Sequence, residues 1–140
     1  MQQLNPYLIF DGNCDEAMRF YEATLGGTLE TSMTYAQMPG CEGKMPPGTE
    51  HRIIHARLRV GDSVVMASDG RLDMPYEGMK CFALNLNYTT VQEARRIFDA
   101  LAAGGSIGMA FEATFWAEGF GMLTDRFGTP WMVNGPQKAI

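Results

Sequence analysis

Basic residues are few and scattered. Eleven lysines and arginines stand against sixteen aspartates and glutamates, for a net charge of −5. The densest basic cluster, Arg52, Arg57 and Arg59, is too sparse to neutralise a phosphate backbone, which excludes a nucleic-acid partner. No apolar run approaches the roughly 18 residues of a membrane span. The start, Met-Gln-Gln-Leu-Asn-Pro, lacks the basic and apolar regions of a signal peptide, so a cytoplasmic protein is expected. Cysteine is scarce: Cys14, Cys41 and Cys81 are odd in number and have no Cys-x-x-Cys spacing, which points to free thiols in a reducing compartment. There is no glycine-rich strand-to-helix turn that would hold S-adenosylmethionine, and no Gly-x-Ser-x-Gly elbow.

What is present is a pattern that occurs twice. Leu4–Phe10 is expected as a strand and Asp11-Gly12 as a turn. Asn13 and Glu16 have the spacing of a helix cap and its N3 partner. Ala17, Phe20, Tyr21, Thr24 and Leu25 then mark one helical face, closed by Gly26-Gly27. Strands are expected over 28–35, 51–60 and 63–69, the last two joined at Gly61-Asp62. Residues 36–50, rich in Gly and Pro, form the one long loop, and 70–79 a polar linker. The order then begins again. A strand over 81–88 leads to Thr90 and Glu93 in the capping spacing, then to Ala94, Ile97, Phe98, Leu101 and Ala102, and to Gly104-Gly105. Asn13/Thr90, Glu16/Glu93, Ala17/Ala94 and Tyr21/Phe98 are each 77 positions apart. A strand over 106–112 and a closing hairpin around Phe127-Gly128 complete the second copy. The spacing predicts an α+β chain of two tandem βαβββ modules, about 1–69 and 80–140, within a single domain of 1–140. The last stretch holds both tryptophans, Trp116 and Trp131, among glycines, as backbone packed closely under rings requires.

A tandem βαβββ chain of this length resembles the vicinal oxygen chelate superfamily, which includes glyoxalase I, the bleomycin-resistance proteins and the extradiol dioxygenases. Three strings make it similar to the PhnB-like branch: Pro6-Tyr-Leu-Ile-Phe-Asp-Gly-Asn-Cys14, Glu112-Ala-Thr-Phe-Trp-Ala-Glu-Gly-Phe-Gly121 and Asp125-Arg-Phe-Gly-Thr-Pro-Trp-Met-Val-Asn134. The resemblance implies curved mixed sheets enclosing a cavity, and a homodimer. It also implies four inward positions that hold a metal in metal-dependent members. Here these fall at or near Pro6, Met66, Cys81 and Met132, and a single cysteine cannot hold zinc or iron. No cofactor and no metal are therefore expected.

Alternation places Leu8, Phe10, His55, Arg57, Met66, Ser68, Ala83, Asn85 and Met132 on inward faces. With Cys81 and Trp116, the residues Phe10, His55, Arg57, Met66, Ser68, Asn85 and Met132 make up the expected ligand site, with any anionic group near Arg57. Trp131 is expected in the core beside the helix. His51 and His55 lie roughly 13 Å apart along a strand, too far to share one ion. Two functional classes follow. One is a binder or sequestering protein for a small organic molecule. The other is a lyase, isomerase or transferase-type enzyme with His55 as general base, or with an atypical metal site of His55 with Asp69 or Glu112.

Overall fold

The computed structural model describes residues 3–38, 46, 48–70 and 72–139. The strands and helices are β1 (Tyr7–Ile9), α1 (Cys14–Leu25), β2 (Thr28–Thr34), β3 (Ile53–Val60), β4 (Ser63–Ser68), β5 (Leu84–Asn87), α2 (Val91–Ala102), β6 (Ser106–Glu112), β7 (Phe120–Thr124) and β8 (Pro130–Asn134). They build two four-stranded mixed sheets of one design, with strand orders β1-β4-β3-β2 and β5-β8-β7-β6. In each, the first strand runs parallel to the last and the other neighbours are antiparallel. The chain divides into two compact units, Met1–Gly78 and Met79–Ile140. No helix among the described residues is long and apolar enough to cross a membrane. The expected loop over 36–50, with Cys41 and Lys44, lies partly outside the described residues.

The repeat extends to single hydrogen bonds. Phe10 N donates to Ser68 O, and Tyr88 N to Asn134 O, both at 2.8 Å. Asp69 N donates to Ile53 O, and Gly135 N to Gly119 O, again at 2.8 Å. The double glycines have the same two tasks in both units. Gly26 and Gly104 take the left-handed conformation, at φ 72° and 78°. Gly27 and Gly105 pass so close to the carbonyls of Arg59 and Thr124 that a Cβ would collide with them.

The helix starts differ. Thr90 caps α2 as its spacing predicts, accepting from Glu93 N at 3.2 Å. The expected side-chain cap by Asn13 does not form. The carboxylate of Asp69 does that work from the end of β4: its Oδ1 accepts from Gly12 N at 2.7 Å and Cys14 N at 2.9 Å, and its Oδ2 from Ile53 N at 2.8 Å. A buried carboxylate that accepts several N–H bonds at a helix start satisfies orphan donors and favours the positive end of the helix dipole. Gly135 occupies the matching place in the second unit, where Thr90 makes that carboxylate unnecessary.

The cores lie between each helix and its own sheet. In the first unit, Ala17, Met18 and Tyr21 of α1 are buried, as are Leu8, Ala56, Leu58 and Ala67 of the sheet. In the second, α2 buries Ala94, Ile97, Phe98 and Leu101, and the strands bury Leu123, Trp131 and Val133. Phe98 and Phe111 stack 5.6 Å apart, and the Phe98 ring lies where a Cβ at Gly121 would point. The rings packed over Gly119 and Gly121 are thus Phe111 and Phe98, not the tryptophans of the last stretch that the sequence suggested.

Candidate functional site

Strand register decides which residues share the face that no helix of the unit covers. On the first sheet, Tyr7, Met66, Arg57 and Thr31 form one cross-strand row. Ile9 and Ser68 stand side by side in the next. Leu8, Ala67 and Ala56 form the intervening, helix-side row and are 1 %, 0 % and 0 % exposed. The alternation expected for β1 is thus corrected by one residue: Tyr7 and Ile9 face outward with Met66 and Ser68. Leu8 does not, and Phe10 is a core residue at 0 % exposure. A one-residue slip moves every side chain to the opposite face.

His55 lies on the outward face, with its Nδ1 3.0 Å from Tyr7 Oη and the rings 5.7 Å apart. Burial pushes the Tyr7 phenol above its usual range and keeps it protonated. The contact fixes the ring through Nδ1 in either tautomer: Tyr7 donates to a bare Nδ1, or Nδ1–H donates to Tyr7 Oη and leaves Nε2 as the free lone pair. Asp69 does not join His55, because its carboxylate is engaged by the amides of Gly12, Cys14 and Ile53.

Beside this face the first unit holds a cavity of about 480 Å³. Ile9, Ile54 and Ser68 contribute from the sheet, and Met74, Pro75 and Tyr76 from the segment expected as a polar linker. Two phenols tie this wall down: Tyr76 OH donates to Ile9 O at 3.1 Å, and Tyr35 OH to Gly70 O at 2.8 Å. The charged residues of the lining are Arg52, Asp11, Asp69 and Glu77. Arg52 is clamped by the Asp69 carbonyl and by Asp11, the latter at 3.2 Å. Its Nε is buried and has no hydrogen-bond partner among the described residues. Burial, followed by the charges of Asp11 and Asp69, pushes the Tyr76 phenol upward.

The remaining expected residues fall elsewhere. Arg57 is absent from this cavity and is paired to Glu30 at 3.0 Å. Asn85 and Met132 are neighbours on the outward face of the second sheet, beside Met122, and Asn85 Oδ1 accepts from Asn134 Nδ2 at 2.6 Å. Trp116 stacks edge-on against Phe115 and Phe120, at 4.9 and 5.3 Å. Cys81 is exposed, precedes β5 and sits at φ 63°, so it shares no strand with the others. Glu112, Glu118 and His51 are exposed. Trp131 is core, at 2 % exposure.

The four superfamily metal positions offer two thioethers, a proline and a cysteine outside the sheet, a set that does not fit zinc or iron. Among the described residues, no three His, Cys, Asp or Glu side chains converge to hold an ion. Sequence reading missed Tyr7, Tyr35, Arg52 and Tyr76. Arg52 was visible only as a member of a basic cluster, and Tyr76 gave no signal.

Residues 2–134 match the family model described as 3-demethylubiquinone-9 3-methyltransferase. Protein YjdN of Escherichia coli K12 is 43 % identical over 145 residues, covering 94 % of this chain and 93 % of that one. The crystal structure of protein PA1353 from Pseudomonas aeruginosa is 48 % identical, with a TM-score of 0.90 over 99 % of this chain and 100 % of that one. A Bacillus cereus structure described as a putative 3-demethylubiquinone-9 3-methyltransferase, PhnB protein, is 24 % identical, with a TM-score of 0.81 and coverage of 96 % and 99 %. A glyoxalase/bleomycin resistance/dioxygenase family enzyme from Burkholderia phytofirmans shares the fold at 18 % identity, with a TM-score of 0.60 and coverage of 92 % and 95 %.

Proposed function

The chain belongs to the PhnB-like family described as 3-demethylubiquinone-9 3-methyltransferase, and from that premise we propose that it is a binding or sequestering protein for a small organic molecule. The observation that carries this reading is the cavity of about 480 Å³ in the first unit, walled by Ile9, Ile54, Tyr35 and Tyr76. A cavity of a few hundred Å³ with an apolar wall and a few fixed polar groups suits a small ligand. Arg52 supplies the orienting donor. His55 is outside the lining, so no imidazole faces a ligand held in this cavity, which favours binding over catalysis at this site. The metal positions of the superfamily lack a fitting donor set, so the reading routes no step through a metal.

The family description names a methyltransferase, but neither strand-to-helix connection offers a methyl-donor site. Asp11-Gly12-Asn13 and Thr89-Thr90 are short turns without a glycine-rich phosphate or nucleotide cradle. A cytoplasmic homodimer completes the reading. Its support is the free thiols Cys14 and Cys81 and the exposure of Ile107, Met109 and Phe115 on the single chain.

Thermal-shift measurement with a panel of small aromatic compounds tests the reading. A ligand that binds only the folded state raises the melting temperature by mass action. At least one compound is expected to stabilise the protein, and Ile54→Trp, which fills the cavity, is expected to abolish the shift. No stabilising compound, or an equal shift in Ile54→Trp, overturns the assignment.

A further inference from the structure

A second concavity of the first unit has different chemistry. A groove of about 320 Å³ is lined by Asn5, Ser63, Arg57, Arg59 and Asp62, together with the neighbouring Gln3–Pro6 segment. Arg57 and Arg59 are two apart on β3, so they project from one face with their Cα atoms roughly 6.5–7 Å apart. Like charges so placed repel. Glu30, on the adjacent strand, answers both. Its Oε1 accepts from Arg57 Nε at 3.0 Å and its Oε2 from Arg59 Nε at 2.9 Å. These two bonds hold the Glu30 carboxyl below the usual carboxylate range, the Arg59 bond contributing most.

The bridge uses only the inner nitrogen of each guanidinium. Among the described residues, neither guanidinium makes any other hydrogen bond, so the Nη groups of both are left as donors. Counting Glu30 and the Asp62 carboxylate in the lining, the groove carries no net formal charge, so what it offers an anion is directed donors. An ion pair this exposed adds little to stability, the side chains being 34 %, 45 % and 33 % exposed. What the arrangement does achieve is to orient two planar forks over one groove. Forks held in this way match the several oxygens of a tetrahedral oxyanion, whereas a single point charge does not.

We propose that Arg57 and Arg59, aligned by Glu30, form an oxyanion site for a phosphate-type group of a small molecule, separate from the apolar cavity. Two guanidiniums suit the dianionic, multi-oxygen character of such a group better than a monovalent carboxylate. The Ser63 hydroxyl is a further donor in the lining, and the Asp62 carboxylate opposes binding and keeps it modest.

The test is calorimetric titration of the full chain with inorganic phosphate, with acetate as comparison. Phosphate is expected to bind saturably and more tightly than acetate. Arg57→Lys and Arg59→Lys keep the charge but remove the fork, and each is expected to weaken phosphate by about tenfold or more. Arg96→Lys, at an ion pair on α2, is expected to leave binding unchanged. Thermal melts confirm folding, and Arg59→Lys is the safer variant because its side chain is 45 % exposed. No saturable binding, retention of affinity in both lysine variants, or acetate binding as tightly as phosphate overturns the proposal. None of these results bears on the apolar cavity, which involves neither arginine.

Discussion

The indole Nε1 of Trp131 donates to Oδ2 of Asp125 at 2.8 Å, and the two residues are 2 % and 3 % exposed. Oδ1 of the same carboxylate accepts from Phe127 N at 2.9 Å and Thr129 N at 3.1 Å. One buried acid therefore shapes the turn at Gly128 and fixes the core tryptophan that follows it. Asp125→Ala leaves several buried donors without a partner, and urea unfolding is expected to show a loss of about 3 kcal/mol. Trp131→Phe, which removes one donor and keeps most of the packing, is expected to cost about 1–2 kcal/mol. An Asp125→Ala midpoint equal to that of the wild type would show that the acid does not hold the hairpin.

The helix starts give a matched pair. Asp69→Ala removes the acceptor of three backbone amides, and a loss of about 3 kcal/mol is expected in the same measurement. Asn13→Ala, at the position where spacing alone places the cap, is expected to stay within about 0.5 kcal/mol of wild type. Thr90→Ala in the second unit is expected to cost about 1 kcal/mol. A larger effect from Asn13→Ala than from Asp69→Ala would reverse the assignment.

The repeat was legible because it is local. The helical stripe, the Thr90 cap and the double glycines depend on residues a few positions apart. The phase of β1 was not legible: Tyr7, Leu8, Ile9 and Phe10 are all apolar or aromatic, so no alternation distinguishes the helix side from the open side. The Asp69 cap was hidden for a different reason, since it joins residues more than fifty positions apart. The cavity depends on Tyr76 folding back onto Ile9, which no short-range pattern in a polar linker announces. Arg57 was singled out for its charge, but its partner Glu30 lies 27 positions away on another strand.

Thiol chemistry is expected to separate the two described cysteines. Cys14 is fully buried, and that burial, followed by the charges of Asp69 and Asp15, pushes its thiol well above the usual range. Cys81 is exposed. Since the thiolate is the reactive form, iodoacetamide followed by peptide mass spectrometry is expected to find Cys81 labelled in native protein and Cys14 only after denaturation. Native labelling of Cys14 at the rate of Cys81 would contradict its placement.

Alkaline stability follows from the phenols. Burial raises Tyr7, Tyr76 and Tyr88 above the ordinary value of 10.0. The folded state holds these protons more tightly than the unfolded chain, so the contribution is complete below that value and is lost as pH rises through the folded values. Urea midpoints are expected to fall as pH rises above about 10, and to fall less in Tyr88→Phe. A flat profile above that pH would show that the phenols titrate alike in both states.

The location of a bound compound tests the central claim most directly. In a crystal soaked with the most stabilising compound of the thermal-shift panel, electron density is expected among Ile9, Ile54 and Tyr76, with a polar group on Arg52. Density confined to the Tyr7–His55 pair, or a metal ion coordinated by His55, would contradict the account.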